Sequence, residues 1–339
     1  MQCRRRWSAV AGILFLGSVA TLVKARDPVT DANAMQAAHG ADAVALRISM
    51  LDDLNKMSVT ARDRYVNEML GGSALNGPWA QLLKQTDNPD AQLNSAILIA
   101  SAKALSADGA FENIMLPSTN AAVRYWGARG LEGILADLIK VGTAAKNRAL
   151  EALNKAIAKE NSGVVKQQII RALGAAGDVE ALQTAADALA MQLQNPSPDH
   201  ETIDAAGTAL SQLDALLKKG ATVDKAKVAK SAAWIAAFSA QQLRAVAGRG
   251  ADNTSPDAAP EVPEAYTQSI YSTVSSAIAV LNDLAGKGAF PTVHAPVGDV
   301  REYSNELQFA VDGIAGSATA AGTLQKLIPG VPVPPAIRQ

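Results

Sequence analysis

Apolar residues recur at steps of three and four along nearly the whole of this chain, a spacing that buries one face of an α-helix and suits almost nothing else. Leu93, Ile97, Ala100 and Ala104 begin the series, and Val123, Gly127, Leu131, Ile134 and Leu138 continue it. The same habit returns in Leu150, Leu153, Ile157, then in Val179, Leu182, Ala186, Leu189, Leu193, and again in Ile203, Ala206, Leu210, Leu213, Leu217. Beyond these come Val228, Ser231, Ile235, Phe238, then Ile270, Val274, Ala277, Leu281, Leu284, and last Val300, Tyr303, Leu307, Ala310, Ile314. No comparable stretch alternates with period two. Aromatic residues make up only 4% of the chain, which suits helices packed closely through alanine and argues against a β-sandwich. The expected class is all-α.

Punctuation between the stripes predicts helix ends. Asn88-Pro89-Asp90, Ser118-Thr119-Asn120, Asn161-Ser162 and Ser197-Pro198-Asp199 offer side chains or a proline for amide groups that no helical carbonyl reaches. Unit starts near Asn88, Asn120, Asn161 and Asp199 are then 32, 41 and 38 residues apart, a period that two helices fill. Within these units two stretches match. Val123-Arg124 is followed after four variable residues by Arg129-Gly130-Leu131, and Val165-Lys166 by Arg171-Ala172-Leu173.

On these residues the chain resembles the HEAT-repeat, armadillo-like family over about 88–195. The resemblance implies an α-solenoid of helical hairpins that binds partners along its surface. After 196 the predicted helices lengthen, to about 199–219, 222–247, 265–286 and 299–316, forming either a bundle or elongated repeats. The segment 248–265 reads as a polar linker, and the Pro-rich tail 329–339 as extended or disordered. The predicted division is therefore 1–25, 26–196 as the repeat region, 197–328 as the long-helix region, and 329–339.

The first 25 residues carry Arg4, Arg5 and Arg6 ahead of an apolar run from Trp7 to Val23, with cleavage candidates near Ala25 or Ala20. This pattern predicts a secretory signal peptide and hence an exported, periplasmic or secreted protein. Contact with a membrane is expected only if that segment stays uncleaved. Its removal takes four of the 31 Lys and Arg residues and none of the 32 Asp and Glu, leaving a net charge of −5 that disfavours nucleic acid as a partner. The only cysteine, Cys3, leaves with it, so core packing rather than disulfides must hold the fold.

Chemistry is sparsely signalled. The chain has no H-E-x-x-H, no G-x-S-x-G and no P-loop, and Gly248-Arg249-Gly250 stops short of a dinucleotide fingerprint. No catalytic residue, metal or cofactor is assigned. Asp199-His200-Glu201 with Asp204 is the nearest approach to a metal set, but Asp199 and Glu201 have a simpler task at the positive end of a helix. His294 lies in a proline-flanked loop. Asp52-Asp53 and the lysines Lys218, Lys219, Lys225, Lys227 and Lys230 read as solvated helix faces.

Partner-binding candidates are Arg124, Tyr125, Trp126, Arg129 and Arg171: the aromatic pair as an anchor, the arginines as a ladder aligned by stacking. Competing readings place Trp126 between layers as a space filler, and pair Arg129 and Arg171 with carboxylates or helix-end carbonyls of an adjacent repeat. The expected function is a non-catalytic interaction scaffold for a protein or an envelope polymer. The alternatives are a helical enzyme or metal- or ligand-binding protein with its site in the C-terminal region near His200 or His294, and a self-assembling structural protein of the envelope.

Overall fold

The computed structural model describes residues 26–195, 198–249, 262–286, 288–317 and 320–337. The predicted signal segment 1–25 lies outside these residues, as does most of the predicted linker 248–265. Among the described residues the protein is all-α. The one extended pairing is an isolated bridge between Ser317 and Ala320.

Three helices open the chain: α1 (Pro28–Ala37), α2 (Gly40–Lys56) and α3 (Val59–Leu70). A short α4 (Pro78–Lys84) precedes α5 (Pro89–Ala102), whose start is set by Pro89 and by Asn88, which accepts the Ala91 N–H at 3.1 Å. After α6 (Asp108–Ala110) and a π-helical turn at Phe111–Met115 come α7 (Ala121–Val141) and α8 (Thr143–Lys159), then α9 (Gly163–Ala176) and α10 (Val179–Leu193). The longer helices follow: α11 (His200–Lys218), α12 (Lys225–Arg249), α13 (Glu264–Ala285) and α14 (Val300–Ala315), with a final turn α15 (Thr323–Leu327). Asn120, Asp178 and Asp199 cap α7, α10 and α11 with their side chains.

The helices pack in two rows. In the first, α2 packs on α5, α5 on α7, α7 on α9, α9 on α11 and α11 on α13. In the second, α4 packs on the π turn, that turn on α8, α8 on α10, α10 on α12 and α12 on α14. Packing continues from α9 to α11 and from α10 to α12, the helices on either side of the predicted division. One apolar core lies between them, from Ala32 to Val331.

Small residues let the first row approach closely. A Cβ on Gly174 would stand 2.7 Å from Oε1 of Gln212 on α11, and one on Gly207 would stand 2.6 Å from Oγ1 of Thr273 on α13. Gly127 of the matched stretch allows the same closeness between α7 and the π turn of the second row, since its Cβ would fall 2.9 Å from Cβ of Met115.

The base in the matched stretches has a structural task. Arg124 and Lys166 are the fourth residues of α7 and α9, and each reaches the start of the next helix in its row. Arg124 donates to both oxygens of Glu160 at 2.6 and 2.7 Å; Lys166 donates to Oγ1 of Thr202 at 2.6 Å. Gln92, fourth in α5, accepts from Nδ2 of Asn120 at 3.1 Å, and Lys146, fourth in α8, donates to Asp178 at 2.8 Å. A cation beside a helix N-terminus opposes the helix dipole. Glu160 resolves this for α9: it pairs with Arg124 and also accepts the N–H groups of Asn161 and Ser162 at 2.9 and 2.8 Å. The Ser162 side chain, expected to cap this helix, makes no cap bond.

At the opposite ends of the second row, glutamines close the helices. Gln192 of α10 donates to the Ile157 carbonyl of α8 at 2.8 Å, and Gln242 of α12 donates to the Leu193 carbonyl of α10 at 2.9 Å. The tail beyond α15 is not helical, and it lies against the body. Ile337 N–H donates to Gln241 at 2.8 Å, and Val331 is buried.

Candidate functional site

One unit departs from the two-helix plan. Helix α5 stops at Ala102 because Lys103 adopts a left-handed backbone, φ 50°, where glycine is the usual occupant. A 3-10 turn at Leu105–Ala107, the three residues of α6 and the π turn then stand where the later units of the second row have the full helices α8, α10 and α12. The Leu116 N–H donates to the Phe111 carbonyl at 3.0 Å, the five-residue step of a π turn, and Pro117 ends the element. Phe111 anchors this stub, fully buried against Gly130 of α7, where no side chain intervenes.

The missing helix length leaves an open cleft of about 740 Å³. Glu112 and Leu116 of the stub line one side, Arg148, Glu151, Lys155 and Lys159 of α8 line the other, and Arg124 with Glu160 closes one end. A smaller hollow of about 240 Å³ adjoins it, sharing Asn113, Ser118 and Thr119. Lys84 and Gln92 line its far side.

Two carboxyls in the cleft are perturbed in opposite directions. The Glu112 side chain is only 8% exposed, its nearest cation is Arg148 Nε at 3.7 Å, and its Oε1 has no hydrogen-bond partner among the described residues. Burial, with the charge of Asp108 adding to it and Arg148 opposing, pushes this carboxyl up to about 7. Glu160 is as deeply placed, but there Arg124 and the two N–H groups outweigh burial and hold it below the usual carboxylate range. Arg148 divides itself, donating to Asp108 at 3.2 Å. Lys155 pairs with Glu151 at 2.7 Å, while Lys159 is exposed and has no ion pair among the described residues.

The candidates from sequence are dispersed relative to this cleft. Arg124 lines it, engaged with Glu160 and with the carbonyls of Ser118 and Thr119. Tyr125 and Trp126 are half-buried against the core, edge to face at 5.7 Å, and Arg129 lies over the Trp126 ring at 5.8 Å. Trp126 therefore fills space against the core with part of its ring and leaves the rest at the surface. Arg129 and Arg171 are exposed, and neither has a carboxylate partner among the described residues.

Elsewhere, His200 is exposed in the first turn of α11 beside the capping Asp199, and no metal-like group of His, Cys, Asp and Glu occurs among the described residues. His294 pairs with Glu306 at 3.2 Å on an exposed face. Asp53 pairs with Arg26 at 2.7 Å, and Lys218, Lys227 and Lys230 pair with Asp214, Asp224 and Asp187. No described helix is long and apolar enough to cross a membrane.

Glu112, Arg148, Lys155, Lys159 and Glu160 were not among the sequence candidates. A signal for one of them existed: Arg124 and Glu160 are 36 residues apart, as are Lys166 and Thr202, and Glu132 and Gln168. Complementary polar residues offset by one repeat mark contacts between neighbouring units. Nothing comparable marks Glu112.

Comparison with known proteins adds little. No protein-family model and no curated protein matches the chain. Among solved structures, the crystal structure of an engineered protein from the Northeast Structural Genomics Consortium is similar at 17% identity and a TM-score of 0.35, covering 83% of this chain and 77% of that one. Likeness at that level carries no argument about this chain.

Proposed function

We propose that this chain is an exported, non-catalytic scaffold, an α-solenoid of HEAT-like hairpins continued by longer helix pairs, that binds a protein partner in the cleft beside α8. The observation that carries this reading is the stub at 105–119, which shortens the second row at one unit and opens a cleft of about 740 Å³ between charged walls. Contacts repeated at one-unit offsets support the solenoid, because each unit then binds its neighbour by the same means. Export rests on the signal-like pattern of residues 1–25.

A photo-crosslinking amino acid at Thr119, on the cleft rim, tests the reading in the cells that make the protein. The expected result is one protein captured in stoichiometric yield from Thr119 and not from Phe309, an exposed residue on α14. Crosslinks that remain internal, or that form equally from both positions, would remove the proposal.

A further inference from the structure

Two features of the cleft have no packing explanation. Glu112 is more than nine-tenths buried, yet one of its oxygens faces no donor among the described residues, although buried polar atoms are ordinarily paired. On the opposite wall one cation has no partner of its own. Lys155 is matched by Glu151 and Arg124 by Glu160, the half-exposed Arg148 is shared between Asp108 and Glu112, and Lys159 has no ion pair among the described residues.

We infer that this cleft receives an extended acidic peptide segment, one carboxylate of which rests against both Glu112 and the guanidinium of Arg148 from the open side of the cleft. The inference rests on the scaffold reading above and adds the class of partner. Arg148 presents a planar fork suited to a carboxylate, and Lys159 adds a second attractive charge at the rim. The amide of Asn113 and the hydroxyls of Ser118 and Thr119, shared with the adjoining hollow, supply polar groups for a peptide backbone that continues past the cleft.

Glu112 makes the binding depend on pH. Its carboxyl, raised to about 7, carries a proton in mildly acidic solution and donates it in a hydrogen bond to the incoming carboxylate. Above neutrality it ionises and repels the same group. The charged residues around it are Asp108 on α6, Arg124 on α7, Arg148, Glu151, Lys155 and Lys159 on α8, Glu160 beyond α8, and Lys84 on α4 across the adjoining hollow. His39, His200 and His294 lie outside the cleft.

Fluorescence anisotropy of the purified protein with a short labelled peptide alternating Glu and Ala, against the same peptide with Gln, tests this at pH 6 and pH 8. The Glu peptide should bind about fivefold or more tighter at the lower pH, since a pKa near 7 changes protonation most across that interval. Glu112→Gln, always a neutral donor, should bind at pH 8 as tightly as the unaltered protein does at pH 6. Arg148→Ala and Lys159→Ala, both on exposed positions of α8, should weaken binding at either pH with the fold intact by circular dichroism. Equal affinity for the Gln peptide, or a pH dependence that survives in Glu112→Gln, overturns the inference. If Thr119 still captures a partner in that case, the scaffold reading stands alone; if it captures none, both are lost.

Discussion

Two units of this molecule begin alike and end differently. In 163–195 a first-row helix of 14 residues is followed by a second-row helix of 15 residues. In 89–119 the first-row helix also has 14 residues, but the second-row element is reduced to a three-residue helix and a π turn of five. A helix of the regular length spans about 22 Å, roughly twice what the stub covers. The first row does not register the difference, because α5, α7 and α9 pack in succession throughout. A repeat can therefore lose most of one helix and keep its stacking, provided an anchor such as Phe111 fills the core beneath. The space released becomes the cleft.

The comparison can be broken most forcefully at that anchor. Phe111→Ala should cost about 3–5 kcal/mol, comparable to Leu189→Ala in the regular unit, as read from urea unfolding with an unchanged m value. A cost for Phe111→Ala no greater than that of an exposed substitution would mean that the stub is not part of the core.

Next in size is the contact between units. Glu160→Ala strands the mostly buried Arg124 and two helix-start N–H groups, and should cost about 3 kcal/mol. Lys166→Met, at the equivalent position of α9, should be neutral or stabilising, since its buried ammonium has a hydroxyl and no carboxylate as hydrogen-bond partner and its pKa is lowered by burial. Chemical denaturation of both variants decides whether the two equivalent bases differ as expected. Because the Glu160 carboxyl is held below its ordinary range, its contribution is present above the unfolded carboxylate value and is lost as pH falls through the folded one. Glu160→Gln should flatten the acid limb of the melting temperature.

Glu112 gives the opposite sign. Its folded value is raised to about 7 from 4.5, so its contribution is complete below the unfolded value and declines as pH rises toward 7. Glu112→Gln should match the unaltered protein near pH 4 and exceed it by about 1 kcal/mol at pH 8, followed by melting temperature.

The smallest effect separates the helix ends. Lys103 and Gly177 terminate α5 and α9 in the same left-handed region, at φ 50° and 63°. Lys103→Gly should stabilise by about 0.5–1 kcal/mol and Gly177→Ala should destabilise by a similar amount. Equal and negligible changes in both would show that the left-handed termination of α5 carries no strain.

Much of the fold was legible beforehand. The starts at Asn88, Asn120 and Asp199 are caps in the structure, and the longer helices beyond 199 fall within a few residues of their expected spans. The site was far less legible. Of the residues singled out, only Arg124 reaches the cleft, and it does so as a bridge between units. Tyr125 and Trp126 drew attention by rarity among alanines, a property of composition and not of position.

Helix positions follow from the local sequence because burial of one face every 3.6 residues, a capping side chain and a terminating glycine all act within a turn or two. The all-α class and most helix starts were determined there. Which carboxyl loses its solvent, which base reaches the next unit and where a hollow remains depend on neighbours 30 or more residues away. Those were decided only when the rows assembled, since desolvation sums over every atom packed around a group and no local pattern of side chains encodes that sum.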